Sequence, residues 1–235
     1  MAEEDFDIDA LAAYLHLMPA QVSRMADRGK LPGRRVSGKW RFSRAEIHHW
    51  LEHRIGASDE QELVQMEKVL DRAAPSNSED VSLAAALPIE AMAFPLAAKT
   101  RGRAVSAMVE LAAETGWLWD TDKMAEAVLA REQIQPTALD IGVALLHPRR
   151  PMPGILGEAF VSLGITPTGI PFGGSGSQMT DVFFLILSTD DEWHLRMLAR
   201  ISRLLSTEVF LSELRDASDS TAAREVIERF EDELA

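Results

Sequence analysis

The 235-residue sequence contains no cysteine, which excludes disulfides, thiolate nucleophiles and cysteine-ligated zinc and suits a reducing cytoplasm. Long apolar runs are missing as well. The most apolar stretch, Leu83 to Ala98, is broken by Pro88, Glu90 and Pro95, and no basic segment leads into an apolar one near the start, so neither a membrane span nor a signal peptide is expected. Basic residues are scarce, 24 against 37 acidic, for a net charge of -13, a balance that ordinarily disfavours nucleic acid. They are, however, concentrated. Ala20 to Arg54 holds nine basic and three acidic residues, a net of +6, whereas everything after residue 55 holds 15 basic and 29 acidic, a net of -14. One part is suited to approach phosphates and the other is not. With 46% hydrophobic residues, a chain of this length can bury two cores, and two domains are expected.

The basic part reads as a small mainly helical module. Asp9 is placed to cap a short helix with Leu11, Tyr14 and Leu15 as its apolar stripe, followed by a turn at Met18-Pro19. A second helix, roughly Ala20 to Arg28, buries Val22, Met25 and Ala26. Gln21, Arg24 and Arg28 then share the opposite face, and Gly29 ends the helix. Arg34 to Phe42 reads as a hairpin turning at Ser37-Gly38, with Lys39 and Arg41 pointing one way and Trp40 and Phe42 the other. Ser43 to Glu46 has the form of a capping box for a helix that buries Ile47, Trp50 and Leu51. His48, His49 and His53 offer two histidines four apart but no third ligand, so solvent-facing histidines are expected rather than a metal site. On residue types alone, the basic face suits either DNA or a protein partner.

The stretches Leu11 to Leu15, Gly29 to Val36, Gly38 to Phe42 and Glu46 to Leu51 together resemble the winged helix-turn-helix of the excisionase/MerR-like family, over about residues 1–55. The resemblance implies that the second helix enters a major groove of double-stranded DNA while the hairpin grips a neighbouring backbone. Gln21 and Arg24 would meet base edges, and Arg28, Arg34, Arg35, Lys39 and Arg41 would neutralise phosphates.

Residues 56–80 read as a linker. Leu63, Met66, Val69 and Leu70 have helical spacing between Asp59 and Arg72, which suits a docking or dimerisation helix, and so leaves a homodimer open, or a solvated connector. Pro75 to Asp80 reads as a joint.

Residues 81–235 alternate helical and strand-like segments, the pattern of an α/β domain. Helices are expected over Thr100 to Thr115, from Asp120 or Thr121 to Arg131, after the Ser188-Thr189-Asp190-Asp191 start signal, and over Ser220 to Leu234. Strands are expected at Ile141 to Leu146, Ala159 to Leu163 and Val182 to Leu187, the last central because it is almost wholly apolar. The first of these delivers His147 at its far end, beside Arg149 and Arg150. That histidine is either a reactive imidazole or a surface group that merely ends a strand. Gly173 to Ser177 has a phosphate-cradle look but lacks the Gly-Lys-Ser/Thr continuation, and a loop between strands is expected.

From Val81 to Leu234 the chain resembles the IIA domain of the fructose/mannitol-type sugar phosphotransferase system, including its nitrogen-regulatory branch. The residues that carry this are the Arg131-Glu132 pair at a helix end, the Thr137 turn, the Gly142-Val143-Ala144 strand leading to His147, and His194 behind Thr180 to Leu187. The resemblance implies a mixed sheet flanked by helices and a phosphoryl group accepted on His147 from a phosphocarrier protein of the HPr type. Arg131 and His194 would stabilise the moving charge. Ile141, Leu146 and Pro148 depart from the family pattern, and Pro148 has no N–H to offer a phosphate. The expected protein is thus a cytoplasmic DNA-binding regulator with a phosphoryl-accepting carrier domain rather than a turnover enzyme, needing no metal or other cofactor. The alternative is a IIA-like sensor module that is not phosphorylated.

Overall fold

A computed structural model describes residues 5–15, 17–57, 81–173 and 178–234. The expected linker helix between Asp59 and Arg72, the joint at Pro75 to Asp80 and most of the Gly173 to Ser177 loop lie outside the described residues. The chain divides into two compact units, Met1–Asp80 and Val81–Ala235. Among the described residues no helix is long and apolar enough to cross a membrane.

In the first unit, α1 (Ile8–Tyr14) is capped by Asp7, whose carboxylate accepts the Ala10 N–H at 2.9 Å. The expected cap, Asp9, instead lies in the first turn, where a negative charge still favours the helix N-terminus. The next helix, α2 (Pro19–Asp27), begins on a proline and buries Val22 and Ala26. It ends as its sequence dictates: Gly29 has φ +68°, and the Gly29 and Lys30 N–H groups donate to the Ala26 and Met25 carbonyls, the paired bonds of a left-handed glycine stop. Strands β1 (Arg34–Val36) and β2 (Lys39–Arg41) form an antiparallel hairpin. Its turn residues Ser37 and Gly38 both have positive φ, which matches the twist of a two-residue hairpin loop. Phe6 extends this ribbon by exchanging two 2.9 Å backbone hydrogen bonds with Phe42. A Cβ at Gly33 would sit 2.6 Å from the Phe42 ring, so the fully buried Phe42 makes glycine obligatory there. Helix α3 (Arg44–Ala57) closes the core with Ile47 and Leu51. Its His48 is not solvent-facing as expected but buried, hydrogen-bonded to the Tyr14 hydroxyl at 2.7 Å. His49 is exposed.

In the second unit, a short 3-10 turn (Ile89–Ala91) precedes β3 (Met92–Ala93), α4 (Arg101–Ala113), α5 (Thr121–Ile134), β4 (Val143–Leu146), β5 (Phe160–Ile170), β6 (Thr180–Leu187), α6 (Asp191–Leu205), α7 (Glu208–Asp216) and α8 (Ser220–Leu234). The four strands form one mixed sheet in the order β3-β5-β6-β4. The β3–β5 and β4–β6 pairs are parallel, and β5–β6 is antiparallel. The apolar β6 is an interior strand. Ala144, Leu146, Phe183, Leu185 and Leu187 join a buried cluster with Val105, Met108 and Val109 of α4 and with Met124 and Val128 of α5. The intervening residues Leu145, Phe184 and Ile186 are buried on the other face, where α6 packs against β6. Strand β5 runs well past Leu163, with a register irregularity between Ile165 and Ile170. Gly164 lies within it because a Cβ there would stand 2.7 Å from the Met108 sulfur and 2.9 Å from Leu96, a close approach that only glycine admits.

Candidate functional site

The site forms where β4 and β6 end side by side. Their parallel register pairs Leu146 with Leu185, so the next residue of β4, His147, emerges at the same sheet edge as Ser188, which follows β6. From Ser188 the chain turns into α6. The Asp190 carboxylate caps this helix by accepting the Trp193 N–H at 2.9 Å, and His194 falls in its first turn. Sheet register and helix cap thus bring together two histidines 47 positions apart. Their ring centroids are 5.0 Å apart with planes at 62°. Both are buried, His147 at 2% exposure and His194 at 4%.

The Nδ1 of His147 lies 2.9 Å from the Leu145 carbonyl oxygen. A carbonyl can only accept, so this nitrogen carries the proton and Nε2 keeps the lone pair. His194 is held from its other side, with the Ser188 hydroxyl 3.3 Å from Nδ1.

The last turn of α5 supplies two buried ionic residues. Arg131 donates through Nη1 to the Gln135 carbonyl at 2.8 Å. Glu132, 1% exposed, accepts the Thr137 N–H at 3.1 Å, the Thr137 hydroxyl, and an Arg101 Nη2 at 3.2 Å. A buried carboxylate is tolerated only with such donors around it. The turn it fixes then runs along β4. The Leu139 N–H donates to the Val143 carbonyl at 2.7 Å, and the Leu145 N–H approaches the Thr137 carbonyl at 3.4 Å. Arg131 is therefore tied to the His147 strand through this turn. Pro148 is buried, whereas Arg149 and Arg150 are exposed.

Three of the supporting residues were invisible in sequence. Arg101 lies 31 positions before its partner Glu132 and reads only as the start of a helix. Asp181 and Arg215 form a two-toothed ion pair at 2.9 and 2.7 Å, and Arg215 also donates to the Ile141 carbonyl at 2.8 Å. Nothing in the local pattern of either residue announces that clamp.

The basic residues expected at a DNA face are distributed over α2 and the hairpin. Gln21, Arg24, Arg28, Arg34, Arg35 and Lys39 are exposed and Arg41 is half-buried. Gln21 uses its Oε1 to accept the Met18 N–H at 2.9 Å, and Arg24 donates through Nε to the Ala20 carbonyl at 3.1 Å. The hairpin register sets Arg34 opposite Arg41 and Arg35 opposite Trp40, so Arg35 shares the Trp40 side of the ribbon. Its guanidinium lies over the Trp40 ring at 5.0 Å, and both residues bind the Asp27 carboxylate, at 2.9 and 3.2 Å. Arg34 pairs with Asp5 at 2.7 Å and Arg41 with Asp7 at 3.8 Å. Among the described residues, three of the seven thus have intramolecular carboxylate partners.

Residues 86–230 match the family model described as "Phosphoenolpyruvate-dependent sugar phosphotransferase system, EIIA 2". The chain belongs to this IIA family. Residues 6–54 match a helix-turn-helix domain model, so a helix-turn-helix domain precedes the IIA domain. The chain is 33% identical over 125 residues to a nitrogen regulatory protein of Bradyrhizobium diazoefficiens, covering 52% of this chain and 80% of that protein. It is 24% identical over 142 residues to the fructose-specific EIIA component of Haloferax volcanii, covering 60% and 90%. Among solved structures, the nitrogen regulatory protein IIA-Ntr from Neisseria meningitidis superposes with a TM-score of 0.56 at 19% identity, covering 61% of this chain and 97% of that one. The mannitol IIA of Escherichia coli gives 0.53 at 19%, covering 60% and 97%. These superpositions bear out the IIA fold.

Proposed function

We propose that the protein is a DNA-binding regulator whose IIA domain accepts a phosphoryl group on Nε2 of His147 from a phosphohistidine carrier of the HPr type. The phosphorylation state would then bias DNA or partner binding. The observation that carries this is the pairing of two buried imidazoles 5.0 Å apart, one of them fixed with its Nδ1 proton on the Leu145 carbonyl.

The transfer balances without a net proton movement. As the donor's N–P bond breaks, its electron pair stays on the donor nitrogen while the Nε2 lone pair of His147 forms the new N–P bond. Each ring keeps the proton on its other nitrogen. Positive charge that develops on the His147 ring is stabilised by the Leu145 carbonyl, and negative charge on the phosphoryl oxygens by Arg131 and the N–H of His194. Pro148 and Ile141 favour the second reading, a IIA domain that docks a partner without being phosphorylated.

The deciding experiment is incubation of the full chain with a phosphorylated HPr-type carrier, read by intact mass. We expect addition of one phosphoryl group, no addition in His147→Ala, and a rate about 100-fold lower in His194→Ala, the usual cost of losing an oxyanion donor. No labelling under conditions that label a standard IIA domain overturns the acceptor reading in favour of the second.

For the helix-turn-helix domain, DNA affinity should fall as salt rises. Arg28→Ala should weaken it more than Arg41→Ala, because Arg41 already has Asp7 as a partner. Salt-independent binding, or none on a genomic-fragment screen, counts against DNA as the target.

A further inference from the structure

We infer that Ser188 is a positioning residue for the phosphoryl-transfer site, its hydroxyl donating to Nδ1 of His194 and thereby fixing that ring as a neutral imidazole with its proton on Nε2. The inference rests on the reading of His147 as the acceptor.

Ser188 is 1% exposed and stands at the end of β6, between the strand and the α6 cap at Asp190. Its carbonyl is engaged by the Met152 N–H at 3.0 Å, which ties it to the loop following His147 and holds its backbone in place. Its hydroxyl faces Nδ1 of His194 at 3.3 Å. A hydroxyl carries one proton to donate, and burial makes an undonated proton costly. Among the described residues, Nδ1 of His194 is the acceptor that this proton has. The reverse arrangement, with Nδ1–H donating to the hydroxyl oxygen, would leave the serine proton without an acceptor among the described residues. Donation by Ser188 is therefore the arrangement that satisfies both groups, and it obliges the remaining proton of His194 to sit on Nε2.

The two imidazoles then hold complementary tautomers. His147 has its proton on Nδ1, against the Leu145 carbonyl, and a lone pair on Nε2. His194 accepts at Nδ1 and carries a donor on Nε2. One ring is set to attack phosphorus, while the other presents a hydrogen-bond donor to the phosphoryl oxygens. Without the serine hydroxyl, His194 is released to populate the Nδ1–H form, which turns a lone pair where a donor is needed.

The test is long-range nitrogen–proton correlation NMR on the full chain with 15N-labelled histidine, together with the phosphotransfer assay above. Wild type is expected to show His194 as the Nε2–H tautomer, with Ser188→Ala shifting it toward Nδ1–H and slowing phosphorylation of His147 about 10-fold. Ser188→Thr, which keeps the hydroxyl, is expected to restore both signals. An Nδ1–H tautomer at His194 in the wild type overturns the proposal, and needs no variant to fold. An unchanged tautomer and rate in a folded Ser188→Ala overturns it as well. Should the wild type take up no phosphoryl group, the acceptor reading fails by itself, while the tautomer in the wild type still decides the role of Ser188.

Discussion

Gly142 shows how a single residue carries the geometry of the site. It precedes β4 with φ +85°, and a Cβ there would lie 2.6 Å from an Arg215 Nη2 and 3.1 Å from an Asp181 carboxylate oxygen. Alanine would therefore meet two obstacles, the left-handed backbone and the ion pair that holds the start of β4 to β6 through the Ile141 carbonyl. Gly142→Ala is expected to destabilise the IIA domain by about 2 kcal/mol or more. Urea unfolding should show a lower midpoint with an unchanged slope. Midpoints that coincide would mean that the clamp yields without cost. At this scale the sequence pointed to His147, because an apolar run ends on it, whereas His194 was named only through the family resemblance. It did not disclose Ser188, which reads as part of a helix-start signal. The surroundings of Arg35 were hidden for a related reason. Alternation along one strand says nothing about which residue of the other strand stands opposite, and the pairing with Trp40 turns Arg35 toward Asp27.

Elements were legible where a cap or a period-3.6 stripe marks them, and illegible where local chemistry points elsewhere. Helices α4, α5, α6 and α8 lie close to their expected positions because Thr100, Asp120 and Asp190 supply caps and Asp219 supplies another. The second half of β5 contains Thr166-Pro167-Thr168-Gly169, residues that signal a turn. These four residues have no register partner on β6, and the pairing resumes only at Ile170 opposite Thr180, which is the register irregularity. Helix α7 passed unnoticed between two longer neighbours.

The Asp219 cap gives this scale its prediction. The carboxylate accepts the Thr221 and Ala222 N–H groups at 2.9 and 3.0 Å, and the Ser218 hydroxyl at 3.1 Å. The hydrogen bond from Ala222, followed by that from Ser218, holds its pKa below the ordinary value of 3.8. A depressed carboxylate stabilises the fold above the unfolded pKa and loses that contribution as pH falls through the folded one. Asp219→Ala should thus melt at a lower temperature than wild type at pH 7, with the gap closing only as the pH is taken below 3.8. A gap that is the same at pH 3 and pH 7 would assign the cap's effect to something other than its charge.

For the molecule as a whole, the legible feature was the division of charge, +6 over Ala20 to Arg54 against -14 after residue 55. Tethering a strongly acidic domain to a DNA-binding one raises a long-range repulsion from the phosphate backbone, felt over a screening length of about 10 Å at 0.1 M salt. A fragment ending at residue 57 should accordingly bind DNA more tightly than the full chain at low salt, with the difference shrinking as salt is added. A phosphohistidine adds at most about two negative charges to the -14 already carried by residues 56–235, so its effect through the field alone is a small fraction of that difference. If phosphorylation regulates DNA binding, it must therefore act through a specific contact. Its effect on affinity should survive salt concentrations that erase the gap between fragment and full chain. Titrations of fragment, full chain and phosphorylated full chain against one DNA site, each at low and high salt, separate the two contributions. A phosphorylation effect that disappears together with the fragment's advantage would reduce the coupling to charge alone.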